Sequence, residues 1–106
     1  MCRVARQPVD RAEEALEWLQ DRVDHILVHL DVDVIDASLF PLANVPNRTG
    51  VDFDKIMQAV NVFISSEKAC GLVIAEVNPD HDPGLKMTNR LVDEVVKILK
   101  AKAEQA

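Results

Sequence analysis

Apolar side chains recur along the chain in two different periods, and the switch between them divides it into elements. Ala12, Leu16, Leu19 and Val23 fall at helical spacing while Glu13, Glu14, Glu17 and Asp21 take the other side, which predicts an amphipathic helix. Asp10-Arg11-Ala12-Glu13 has the spacing of an N-terminal capping box, with Asp in place of Ser or Thr. From His25 the pattern becomes ILVHLDVDVID, a β-branched and aliphatic run that reads as a buried strand. Asp52 is placed to cap a second helix whose inward face is Ile56, Val60, Phe63 and Ile64, and Cys70-Gly71 leads into a second apolar strand, LVIAEV. The last helix carries Leu91, Val92, Val95, Val96 and Leu99 on one stripe and gives way to the polar tail KAKAEQA.

Turn-rich segments separate these elements. Residues 37–50 contain Pro41, Pro46, Asn47 and Gly50 and form a loop of functional length, and Asn78 to Gly84 is a second loop. The order helix, strand, helix, strand, helix predicts an α/β domain with parallel strands and right-handed crossovers. Parallel strands are normally covered on both faces and belong to larger sheets, so 106 residues of this pattern predict part of a bigger domain or a protomer that leans on a partner. The uncovered edges of a two-stranded sheet favour a homo-oligomer.

Charge narrows the partners. Twelve Lys and Arg against eighteen Asp and Glu leave a net charge of −6, which repels nucleic-acid phosphates and anionic lipid surfaces and suits small cations or metal ions. No apolar run approaches the roughly 20 residues of a spanning helix, and MCRVARQPVDRAEE lacks the apolar stretch of a secretory signal, so the expected compartment is the cytoplasm. Cys2 and Cys70 lie far apart without a CxxC pattern, as reduced thiols do.

The chemistry concentrates at the ends of the two predicted strands. In HLDVDVID, residues two apart share a strand face, so His29, Asp31 and Asp33 are expected to line up while Leu30 and Val32 pack the other way. Two like charges on one face of an apolar strand are costly unless a divalent cation neutralises them and takes oxygen ligands from both. Ligands of open α/β sheets bind beyond the carboxyl ends of the strands, where these aspartates fall. Glu76 closes the second strand and, if the strands are neighbours, opens into the same crevice, so that three acids converge. His29 reads equally as a third metal ligand or as a satisfied polar group at the strand end. His25 reads as a helix-end residue, and Asp80, His81 and Asp82 read as residues that shape a turn around Pro79 and Pro83.

With those residues in view, HLDVDVIDASLFPLANVPNRTG resembles a signature segment of the manganese ureohydrolases, the family of arginase, agmatinase and their relatives. There an Asp-x-Asp strand end is followed by an acidic residue, a Pro-containing loop and a Gly before the next helix. AEVNPDHDP is similar to the Glu-containing strand end of the same family, in its Glu-Val-Asn-Pro form. The resemblance spans about Val23 to Leu99 and implies a parallel-sheet, three-layer α/β/α fold, reduced in this chain to its C-terminal part. It further implies that Asp31 and Asp33 are carboxylate ligands of a binuclear Mn²⁺ cluster and that Glu76 receives the guanidinium end of a substrate such as arginine or agmatine. In that family metal-activated water attacks the guanidino carbon and releases urea. Asp36 matches an acidic position of the family, and loop support is the role it is expected to have.

Two departures bear on activity. His29 stands where the family usually has a small hydroxyl residue, and Leu42 where a small loop residue is usual. The family's other metal ligands come from a Gly-Gly-His-type and an Asp-Ala-His-x-Asp-type segment, and neither occurs before Val23. The expectation is a single partial domain over residues 1–106 that lacks the N-terminal metal-binding half and is incomplete as an enzyme on its own. Two alternatives stand beside it. One is a non-catalytic truncated paralogue that acts by association with a full-length relative. The other is an Asp-x-Asp aspartyl-phosphate phosphatase, although Val34-Ile35 replaces the Gly-Thr expected after its second aspartate.

Overall fold

The computed structural model describes residues 7–35 and 51–105. Cys2, Asp36, Leu42 and the long loop with Pro41, Pro46, Asn47 and Gly50 lie outside them. The elements run α1 (Pro8–Gln20), β1 (Ile26–Asp31), α2 (Phe53–Ile64), β2 (Ala69–Ala75) and α3 (Lys86–Gln105). β1 and β2 pair in parallel, which makes the described part an α/β unit in the predicted order.

The core follows from alternation in β1. Ile26, Val28 and Leu30 are buried and Leu27 and His29 are exposed, so one face of the strand carries the apolar load. α2 lies against both strands and buries Phe53, Ile56, Met57, Val60 and Ile64 over that face, with Phe63 partly buried beside them. α1 packs on α2, and of the stripe expected from spacing Ala12 is buried while Leu16, Leu19 and Val23 pack partly buried against the core. α3 lies along α2, and its inward residues are Leu91 and Val95, two members of the expected stripe, together with Ile98, which the stripe did not include. Val92, Val96 and Leu99 are exposed instead, because α2 is the main neighbour of α3 among the described elements and the stripe that meets it is the one buried.

Two helix ends differ from the sequence reading. α1 starts at Pro8 with Gln7 at the N-cap, so the Asp10 capping box is not used. Proline suits the first turn, where its missing N–H costs nothing, and the Arg11 amide donates to the Gln7 carbonyl at 3.0 Å to open the helix. Asp52 does occupy the N-cap of α2, but without a side-chain hydrogen bond. The polar tail continues as helix to Gln105, and Lys102 within it spans to the end of α2.

That end of the molecule is tied by two lysines. Lys102 Nζ donates to the carbonyls of Ile64 and Ser66 at 2.7 and 2.8 Å, and Lys68 Nζ donates to those of Gln20 and Val23. The last carbonyls of a helix lack internal partners, so each ammonium satisfies a helix C-terminus and complements its dipole. Buried Ser66 links the two groups by donating to Gln20 Oε1 at 2.9 Å. Among the described residues no helix is long and apolar enough to cross a membrane.

Candidate functional site

Both strands end on the same side of the molecule, opposite the lysine ties, and the candidate residues gather there. Asp31 is the last residue of β1 and pairs with Ala75, the last of β2, so Glu76 is the next residue along from Asp31's neighbour. The strands are therefore adjacent, as the crevice required.

The run predicted as one strand to Asp36 stops at Asp31. Asp31 Oδ1 accepts from the Asp33 amide at 2.8 Å, and Val32–Val34 close into a 3-10 turn. An aspartate that captures the amide two residues on offers the backbone an alternative to the ladder, which is why the strand bends here. Val32 and Ile35 are nevertheless among the best buried residues, and Ile35 forms a single parallel bridge with Val51. The expected line of His29, Asp31 and Asp33 thus holds for the first two only. His29 and Asp31 share the face opposite Val28 and Leu30, while Asp33 projects from the turn. Asp31 and Asp33 are both partly buried.

Glu76 is exposed and sits at φ +67°, in the left-handed region. For a residue with a Cβ this conformation costs about 1 kcal/mol and persists only where its surroundings impose it. Gly84 and Leu85 also have positive φ, so three such positions fall within ten residues of the loop after β2. Between them Pro79–His81 form a 3-10 turn in which Asn78 Oδ1 accepts from the Asp80 amide at 3.0 Å. His81 stays in that turn, 3.4 Å from the Asn78 amide nitrogen. The turn-shaping roles expected of this segment are the ones found.

Asp82 exceeds that expectation. It is 2% exposed, and its carboxylate accepts from the Met87 amide at 3.1 Å and from the amide and hydroxyl of Thr88, both at 2.7 Å. Burial pushes its carboxyl up, but the three donors at the start of α3 outweigh burial and hold it below the usual carboxylate range. Capping rules look two or three residues ahead, whereas Asp82 reaches five and six, so local spacing gives no warning of it.

Two carboxylates at a strand end are hard oxygen donors suited to a divalent cation, and one oxygen of Asp31 is committed to the Asp33 amide. Among the described residues no three His, Cys, Asp or Glu side chains are grouped closely enough to hold a metal ion. A largely apolar cavity of about 330 Å³ opens beside this strand end between α1, β1 and α2, lined by Ala12, Val28, Val34 and Phe63 with Arg11 and Asp31 among its polar residues. A larger cavity, about 460 Å³ between α2 and α3, contains none of the candidate residues.

Comparison with known proteins adds an independent line. The sequence pattern described as the arginase family matches residues 1–100. The formimidoylglutamase of Halobacterium salinarum is 32% identical over 92 residues, covering 86% of this chain and 27% of the relative. The crystal structure of formimidoylglutamase from Bacillus subtilis superposes with a TM-score of 0.73 at 25% identity, covering 87% of this chain and 30% of that one. Trypanosoma cruzi formiminoglutamase, solved with Mn²⁺, shares the fold at a TM-score of 0.64 and 16% identity, over 83% of this chain and 31% of its own. The chain spans between about a quarter and a third of the length of these relatives.

Proposed function

The chain belongs to the arginase family of hydrolases, and from that premise we propose that it is the part of a manganese-dependent ureohydrolase domain that contributes Asp31 and Asp33 to the metal and Glu76 to the substrate. The observation that carries this reading is the register of the parallel pair, which sets Asp31 opposite Ala75 and hence Glu76 at the same strand ends as the two aspartates. Asp31 and Asp33 would hold the ion, with His29, on the same face as Asp31, as a third candidate. A divalent ion bound there supplies positive charge that acidifies water and polarises the carbon under attack. Glu76 offers a planar carboxylate to a planar cation, the geometry of paired charge-assisted hydrogen bonds.

The substrate class follows from that geometry. Guanidinium and protonated formimidoyl groups share a planar, cationic N–C–N unit, so the family match and the formimidoylglutamase relatives both support a small amidinium or guanidinium compound. The cleaved bond is the linear C–N bond of that unit. Because the chain covers a minority of its relatives, the remaining ligands come from the rest of such a domain. In that arrangement the chain works by association with the longer portion, in one polypeptide or between two. A purely non-catalytic associating role is the second reading, and the exposed apolar residues of the open sheet face support it.

Calorimetric titration of the chelator-stripped chain with Mn²⁺ tests the metal half of the proposal. We expect weak binding that Asp31→Asn abolishes. Tight binding of two ions would assign the missing ligands to His29 or to a second copy, and binding unaffected by either Asp31→Asn or Asp33→Asn would sink the site. Urea release from arginine or agmatine, against loss of the formimidoyl group from formimidoylglutamate, then separates the substrates.

A further inference from the structure

The buried carboxylate of Asp82 has no place in the chemistry proposed above, yet it lies six residues beyond Glu76 at the far end of the same loop. We propose that Asp82 is a positioning residue that holds Glu76 in its left-handed conformation and so aims the Glu76 carboxylate across the strand ends. The inference rests on the reading of Glu76 as the group that receives an amidinium or guanidinium.

The loop is restrained at both ends. At the first end, Ala75 is paired with Asp31 in the sheet. At the other, Asp82 is fixed to the first turn of α3 by its three hydrogen bonds to Met87 and Thr88. Between the ends, a relay of backbone bonds leaves little slack. The His81 amide donates to the Asn78 carbonyl and the Asp82 amide to the Pro79 carbonyl, both at 3.0 Å, and the Leu85 amide donates to the Asp82 carbonyl at 2.9 Å. Val77, next to Glu76, packs partly buried against the core. A non-glycine residue adopts positive φ only where its surroundings over-determine it. With the sheet, Val77 and the clamp in place, Glu76 is where the chain takes up the change of direction, and releasing the clamp lets it return to negative φ. That would swing the carboxylate away from Asp31's end of the sheet.

The test is made on the whole ¹⁵N-labelled chain with methylguanidine as probe. A positive φ brings the Glu76 amide proton close to its own Hα, so the wild-type chain should show a strong intraresidue amide–Hα NOE at Glu76 and a saturable shift of that amide with methylguanidine. Glu76→Gln should remove the methylguanidine response alone. Asp82→Asn should keep the α3 signals of Leu91 and Ile98, weaken the Glu76 NOE and lower methylguanidine affinity by roughly tenfold, the equivalent of one lost charge-assisted contact. If Asp82→Asn fails to fold, Thr88→Val carries the test, because it removes one of the three bonds and should produce the same changes at smaller size. A lower melting temperature with the Glu76 NOE and methylguanidine affinity unchanged would make Asp82 a purely structural cap and overturn the proposal. If wild type ignores methylguanidine, the Glu76 substrate reading fails, and the NOE alone still decides whether Asp82 sets the Glu76 backbone.

Discussion

The two faces of the β1–β2 pair are built from the same strands and differ in almost every physical respect. On the covered face Val28, Leu30, Phe53, Met57 and Val60 exclude water. On the open face Leu27 is 62% exposed and Val73 43%, beside His29 and Asp31. Leu27 packs over Gly71, where an added Cβ would come within 3.0 Å of Leu27 Cδ1, so the open face is closely fitted within itself yet uncovered. A parallel sheet is ordinarily dry on both sides. The contrast teaches that the stability of this unit resides on one face while its apolar potential for association lies on the other, beside His29 and Asp31.

Substitutions on the two sides should therefore separate cleanly. Phe53 is 1% exposed and central to the covered face, so Phe53→Ala should cost about 3–5 kcal/mol, enough to unfold much of a marginal chain in a denaturant titration. Arg90, which stacks 4.3 Å above the Phe53 ring and pairs with Asp54 at 2.9 Å, should add little of its own because both charges are solvated.

Acid should weaken the unit next, through Asp82. Its folded pKa lies below the unfolded one, so its contribution is fully present above the ordinary carboxylate range and is lost as pH falls through the folded value. Thermal melts below pH 4 should show this limb in the wild type, and Asp82→Asn should flatten it while lowering the melting temperature at neutral pH.

At the lysine-tied end, Lys102→Met should cost about 1.5 kcal/mol by leaving the Ile64 and Ser66 carbonyls without their charged donor. Asp33→Asn at the opposite end should stabilise the metal-free chain by about 0.5 kcal/mol or less through relief of like charge, and weaken Mn²⁺ binding in the same preparation. A loss of stability with unchanged metal affinity would count against the paired-carboxylate site. The smallest effect belongs to the open face. Leu27→Ser should alter the stability of the isolated chain by no more than about 0.5 kcal/mol, but should measurably impair association with the complementary part of an arginase-family domain. A large destabilisation by Leu27→Ser would mean that the two faces are not distinct in the way described.

Much of this was legible in the chain itself. Periodicity placed all three helices and both strands, because amphipathic spacing and short apolar runs are local properties that survive in any context. Asp31, Asp33 and Glu76 could be singled out for the same reason, since acids at the end of an apolar strand conflict with their neighbours. The details that differ are those in which a distant group competes with a local rule. Leu91 and Val92 are equally apolar, and only contact with α2 decides that Leu91 turns inward and Val92 outward. Lys102 reads as part of a polar tail until the end of α2 is brought beside it.

The order of elements, the parallel pairing and the acids at the strand ends were thus determined by sequence, through period and charge. Tertiary structure alone decided that the chain bends at Asp31, that Glu76 takes a left-handed turn, and that Asp82 becomes the best-hydrogen-bonded acid of the loop. Each of these depends on where a backbone amide or carbonyl finds its partner, and a buried polar group must find one wherever the fold provides it.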